Sequence, residues 1–185
     1  MGENMRKSRH VIVFVVVLFI VSVITGYIYG INNYYDLTDY IEGLSGHNNL
    51  FIPHLIIFFL FLFSTISLLG IIAESIYIGF EGVSIGYLLA IFFSNFKLKG
   101  ILYALVTIAI NKLFLLLILI YLFIVSFKYI KKSIDNIIGI NKDYFDGMIK
   151  PLLQKYFIIL LVLLAYDTVI YFFGNKLLNY LTFML

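Results

Sequence analysis

Val11–Ile31 runs for about 20 residues without a charged side chain, enough as a helix to cross the ~30 Å hydrocarbon core of a bilayer. Arg6, Lys7 and Arg9 precede it. A positive start followed by an apolar run also describes a secretory signal peptide. This run is longer than a signal core, and no small-x-small cleavage site follows it, so it reads as an uncleaved first helix. Similar runs recur down the chain. The sequence is 63% hydrophobic and 12% charged over 185 residues, with a mean hydropathy of +1.05. A water-soluble domain of that length has no use for so much apolar surface.

The expected fold is therefore all-α: a polytopic membrane helical bundle of about five transmembrane helices with no soluble domain. It forms a single integral membrane domain over residues 1–185, with spans near 11–31, 51–73, 75–94, 101–127 and 151–173. Asn32–Leu50 is polar and acidic, with Asp36, Asp39 and Glu42, and Tyr27, Tyr29, Tyr34, Tyr35 and Tyr40 cluster where the first span ends. Tryptophan is absent, so tyrosine takes its place at the interface. Pro53 fits the first turn of the second span, where the missing N–H has no helical partner anyway. Glu74 marks a very short turn into the third span. The fourth run is longer than one straight crossing needs and is interrupted at Asn111-Lys112, which predicts a tilted or broken helix, or a short half-helix before the full span. Pro151 opens the fifth span, and Leu177–Leu185 is too short to cross again.

Basic residues gather at the N-terminus and at Lys128, Lys131, Lys132, Lys142, Lys150 and Lys155, against Lys97, Lys99 and Lys176 on the other side. The positive-inside rule then places the N-terminus in the cytoplasm and the C-terminus outside a cell membrane.

Ser75, Gly79, Gly82, Gly86 and Ala90 recur at steps of four, three, four and four. That spacing lines one face of a helix with small residues amid Ile, Leu, Tyr and Phe. In lipid such a groove lets two backbones approach closely. It serves either packing inside the bundle or docking of another protein.

Charges within a bilayer are expensive, and Lys112 and Asp167 are the two clear cases. Counted along their helices they lie at similar depths, ~22 Å and ~24 Å from the cytoplasmic ends, so they are candidates for an intramembrane ion pair. The alternative is that Lys112 snorkels and Asp167 reaches the outer interface separately. Glu74 and Glu81 share a helix face away from the glycines and read as solvated or interfacial carboxylates near a helix start, or as a contact for a cation or partner.

No catalytic set emerges, so the chain reads as a non-enzyme. Tyr166-Asp167 resembles the Tyr-Asp element of intramembrane aspartyl proteases, but the second aspartate of a Gly-x-Gly-Asp motif is missing. Ser64, Ser67 and Ser84 lack an oriented base, and His54 sits at a helix end. Zero cysteines and three scattered histidines offer no metal site, and no cofactor motif occurs.

The order of features is similar to that of the stage II sporulation protein M family. It comprises a basic N-terminus, a first span ending in Gly26-Tyr-Ile-Tyr-Gly30, and a polar outer loop. Glu81-Gly82-Val-Ser-Ile-Gly86-Tyr87 then stands where a Gly-x-x-x-Gly-aromatic signature is expected, followed by a long fourth span broken at Asn111 and a basic loop. The resemblance implies a membrane scaffold in membrane lipid that recruits peptidoglycan-remodelling partners, stage II sporulation proteins P and D, to the septum during engulfment. The competing class is a membrane subunit of a transporter or permease; an assembly or insertion factor is a third reading.

Overall fold

The computed structural model describes residues 2–33, 51–67, 69–137, 146–174 and 176. The acidic loop, the basic loop around Lys142 and the apolar tail lie largely outside these residues, as do the expectations attached to them. Every regular element among the described residues is helical: α1 (Gly2–Asn32), α2 (Phe51–Ile66), α3 (Gly70–Ile108), a π-helical turn (Ala109–Leu113), α4 (Phe114–Ile137), α5 (Asp146–Val169) and a second π turn (Ile170–Gly174). Three stretches are long and apolar enough to cross a membrane: His10–Asn32, Gly70–Ile134 and Ile149–Gly174.

The outer surface is unlike that of a water-soluble protein. Phe63, Ile76, Phe80, Leu98 and Phe173 are each more than 60% exposed, while Glu74 and Ser126 are completely buried. In water this arrangement would waste apolar area and strand polar groups. Against lipid tails it is the stable one, because polar groups must find partners inside the bundle.

Two reversals set the packing. Between α2 and α3 the chain turns back at Ser67, with the Ser67 N–H donating to the Ser64 carbonyl and the Gly70 N–H to that of Ser67. A Cβ on Gly70 would lie 1.8 Å from the Ser64 carbonyl oxygen, so only glycine lets the arms close there. The turn thus precedes the expected position at Glu74, which lies inside the helix. Glu74 follows a long uncharged run from Phe51 to Ala73, and that charge proves to be buried rather than a loop marker.

The second reversal falls at Lys97, whose φ of 55° and ψ of −131° depart from the helix. Residues 70–96 form a first arm of α3, and residues 98–108 a second arm that continues through the π turn into α4. The rings of Phe92 and Tyr103 stack at 4.9 Å across the reversal. On a straight helix those residues would be ~16 Å apart. Phe92, Tyr103, Ala104, Ile85, Leu88 and Ile108 form one core cluster.

The main core lies towards the other end, where Phe61, Ile78, Leu119, Leu122, Phe123, Tyr156 and Leu163 interlock from α2, α3, α4 and α5. Asn111 and Lys112 do not split the fourth run into half-helices. They sit in the π turn, which keeps the helix continuous. Pro151 does not open the last helix either: α5 begins at Asp146 and carries the proline inside it.

α1 lies against the first arm of α3, running in the same direction. A Cβ on Gly86 would sit 2.0 Å from the Val23 carbonyl oxygen, and one on Gly26 would sit 2.1 Å from that of Val83. Gly82 faces Ser22 and Phe19, Gly79 faces Ser22, and Ala90 faces Gly30. The small-residue stripe is thus filled by a helix of the same chain, with glycine supplied from both sides.

Candidate functional site

Polar side chains gather at three levels inside the bundle. At the first, one turn into α3, Glu74 is fully buried and accepts a 2.7 Å hydrogen bond from the Ser126 hydroxyl of α4. Ser126 lies 2.6 Å from the Thr65 hydroxyl of α2. Thr65 also contacts the Tyr156 hydroxyl of α5, and both Thr65 and Tyr156 reach the Phe61 carbonyl oxygen, at 2.9 and 3.2 Å. Four helices meet in this one network. The second oxygen of Glu74 has no hydrogen-bond partner among the described residues.

At the second level Lys112 of the π turn donates to Glu81 at 2.8 Å and to the Ser84 hydroxyl at 2.9 Å. The other oxygen of Glu81 accepts from the Tyr77 hydroxyl one turn earlier, at 2.9 Å. Lys112 therefore has two named partners and Glu81 has both oxygens engaged. Burial has a cost for each ion, and these contacts offset it.

The third level lies near the far end of the bundle. His54 of α2 and Asp167 of α5 approach to 2.6 Å, both nearly buried. The Tyr166 ring stacks on His54 and on Phe114. Its hydroxyl donates to the Ile110 carbonyl, within the π turn. A π turn loosens the regular i→i−4 ladder and leaves carbonyls open to outside donors. One oxygen of Asp167 has no hydrogen-bond partner among the described residues.

The expected pair of Lys112 with Asp167 is not formed: Lys112 bonds Glu81 and Asp167 bonds His54. Matching depths counted from the loops ignored the hairpin at Lys97, which decides which residues face each other. Glu81 precedes Lys97 and Lys112 follows it by nearly equal lengths of chain, so the two arms bring them level. Glu74 and Glu81 are likewise not the interfacial carboxylates expected, since both are held by hydrogen-bond donors from neighbouring elements. His54, expected to lack an orienting group, has a carboxylate bonded to Nδ1. A signal for these contacts was present in the sequence. Glu74, Tyr77, Glu81 and Ser84 share one face of a helix, opposite the glycines.

Chemically the site consists of acid–base and hydroxyl contacts made between helices. Comparison with family models, with curated proteins and with solved structures finds no match for this chain.

Proposed function

We propose that the chain is a non-enzymatic scaffold of five membrane crossings. The observation that carries this reading is that its interior ionisable groups are engaged between helices, Lys112 with Glu81 and His54 with Asp167. They bind the bundle to itself, which leaves the apolar outer surface as the part that meets other molecules. Five crossings fit the two reversals. Gly70–Ile134 spans 65 residues, far more than one crossing needs, and it turns back at Lys97. α2, at 16 residues, is ~24 Å long by helical rise and crosses with slight local thinning of the bilayer.

With the N-terminus cytoplasmic, Lys128, Lys131, Lys132 and Lys155 fall on the inner side and the C-terminus outside, as the positive-inside rule prefers. Reporter fusions are expected to read outside after Asp39, inside after Lys142 and outside at the C-terminus. An inside C-terminus overturns the five-crossing count.

The resemblance to the stage II sporulation protein M family narrows the scaffold to one that gathers peptidoglycan-remodelling proteins, stage II sporulation proteins P and D among them, at the septal membrane. Photo-cross-linking groups at the lipid-facing positions Phe63 and Phe80, followed by purification from native membranes, test this. Capture of cell-wall hydrolases or their membrane partners is the expected result. Capture of an ATP-binding subunit instead supports the second reading, a transporter subunit. That reading draws on the three polar levels stacked through the interior, and solute or ion flux in vesicles carrying the purified chain measures it directly.

A further inference from the structure

Of Glu74, Glu81 and Asp167, Glu74 is the most deeply buried and the one that meets only hydroxyls. Glu81 has Lys112, and Asp167 has His54. The elements packed around it supply hydroxyls instead: Ser126 from α4, Thr65 from α2 and Tyr156 from α5. The other titratable groups nearby are committed elsewhere. Tyr77, on the same helix, bonds Glu81, and the Lys155 ammonium lies over the Tyr129 ring at 5.5 Å. α1 presents Val15 to this core.

We propose that Glu74 is a reversible proton-binding site built into the joint of four helices. The three hydroxyls carry three protons, and two hydrogen-bond arrangements close around the same heavy atoms. With Glu74 ionised, Tyr156 donates to Thr65, Thr65 to Ser126, and Ser126 to Glu74 Oε1. When a proton taken up from solvent binds Oε1, Glu74 becomes the donor to Ser126. Ser126 then donates to Thr65, Thr65 turns to donate to the Phe61 carbonyl at 2.9 Å, and Tyr156 continues to donate to Thr65, whose oxygen accepts from both. One proton is taken up, no other covalent bond changes, and Ser126 and Thr65 each turn their O–H to the next partner.

The distances favour a proton over a metal cation. Ser126 lies at hydrogen-bonding separation from Glu74 and from Thr65, 2.7 and 2.6 Å. A sodium ion among these oxygens would have to displace those contacts.

Infrared difference spectra of the full chain in phospholipid vesicles, recorded across pH, test the site. The expected result is a carbonyl band of a protonated carboxylic acid that grows as pH falls. It is lost in Glu74→Gln, shifted in Ser126→Ala, and retained in Glu81→Gln. A band that survives Glu74→Gln belongs to another carboxyl and overturns the proposal. So does a band present or absent at every pH, which makes Glu74 a fixed acid or a fixed anion. Removal of the band by sodium chloride, with choline chloride inert at the same pH, overturns it in favour of a cation site. Should Glu74→Gln fail to fold, the unmodified chain and Ser126→Ala with isotope-labelled glutamate decide: a labelled band that Ser126→Ala does not move overturns the assignment.

Discussion

The face of α3 that carries Gly82 and Gly86 and the face that carries Glu74, Tyr77 and Glu81 lie on one helix, yet they hold their neighbours by different physics. On the glycine face α1 comes so close that a single Cβ at position 86 collides with a backbone oxygen. Dispersion between closely apposed backbones supplies the attraction. On the polar face the neighbours are held by directional bonds from Ser126 and Lys112. The dry seam depends on shape and is intolerant of added volume. The polar seams depend on partner identity, so they tolerate paired replacement but not loss of one member.

The largest effect is expected where shape alone decides. Gly86→Leu drives a side chain into the Val23 backbone and should cost about 3 kcal/mol or more, at the upper end of overpacking penalties. The chain has no cysteine, which makes the seam easy to read. A Cβ at Gly79 would lie 3.4 Å from Ser22 Oγ, close enough for Ser22→Cys with Gly79→Cys to form a disulfide. Oxidation should link the pair in the otherwise unmodified chain and fail once Gly86→Leu is added. Efficient linkage in the presence of Gly86→Leu would mean that the seam is looser than the contacts indicate.

A smaller loss, roughly 2–3 kcal/mol, is expected for Lys112→Leu. Stranding one member of a buried pair costs about 3–5 kcal/mol in soluble proteins, and Lys112 retains a quarter of its side-chain exposure. Adding Glu81→Leu should recover most of the loss, whereas adding Asp167→Leu should deepen it additively. Unfolding in mixed micelles measures all three. Recovery with Asp167→Leu instead would return the pairing to the one expected from depth alone.

His54→Ala is expected to cost about 1–2 kcal/mol, the penalty for leaving a buried acceptor unpaired. Asp167 would lose its hydrogen-bond partner while the engineered Ser22–Gly79 disulfide forms as before. If His54→Ala also abolished that cross-link, the two seams would not be separable, and the contrast between them would fail.

Much of the helix content was legible because the apolar runs and the glycine spacing are local properties. The seam of α1 with α3 could be read as a groove from Ser75, Gly79, Gly82, Gly86 and Ala90 alone. Its occupant could not, because the complementary Gly26 and Gly30 looked like the end of an apolar run. The ion pairs failed for a related reason. Which charge meets Lys112 depends on the hairpin at Lys97 and on the π turn that carries the lysine, and neither leaves a mark in composition. Glu74 misled most. The first acid after a long apolar run suggests a loop, while the hydroxyls around it come from residues 65, 126 and 156, far apart in sequence.

The smallest expected effect concerns the hairpin that sets the pairing. Lys97 is the one non-glycine residue with positive φ among those described. Its φ of 55° with ψ of −131° matches the first central position of a type II′ turn, a place glycine takes without steric penalty. A residue held in such a conformation stores about 1–3 kcal/mol. Lys97→Gly relieves that strain but widens the freedom of the unfolded chain and removes an exposed cation, so the net gain should be about 1 kcal/mol. Lys97→Ala separates the two contributions: it removes the charge and keeps the Cβ, and should give no gain. A stabilising Lys97→Ala would assign the cost to the charge, and a destabilising Lys97→Gly would mean that the lysine anchors the turn at the interface. Either result leaves the Lys112–Glu81 pairing testable on its own. A gain confined to glycine would show that the hairpin aligning Glu81 with Lys112 is held against local backbone preference by the packing of its two arms.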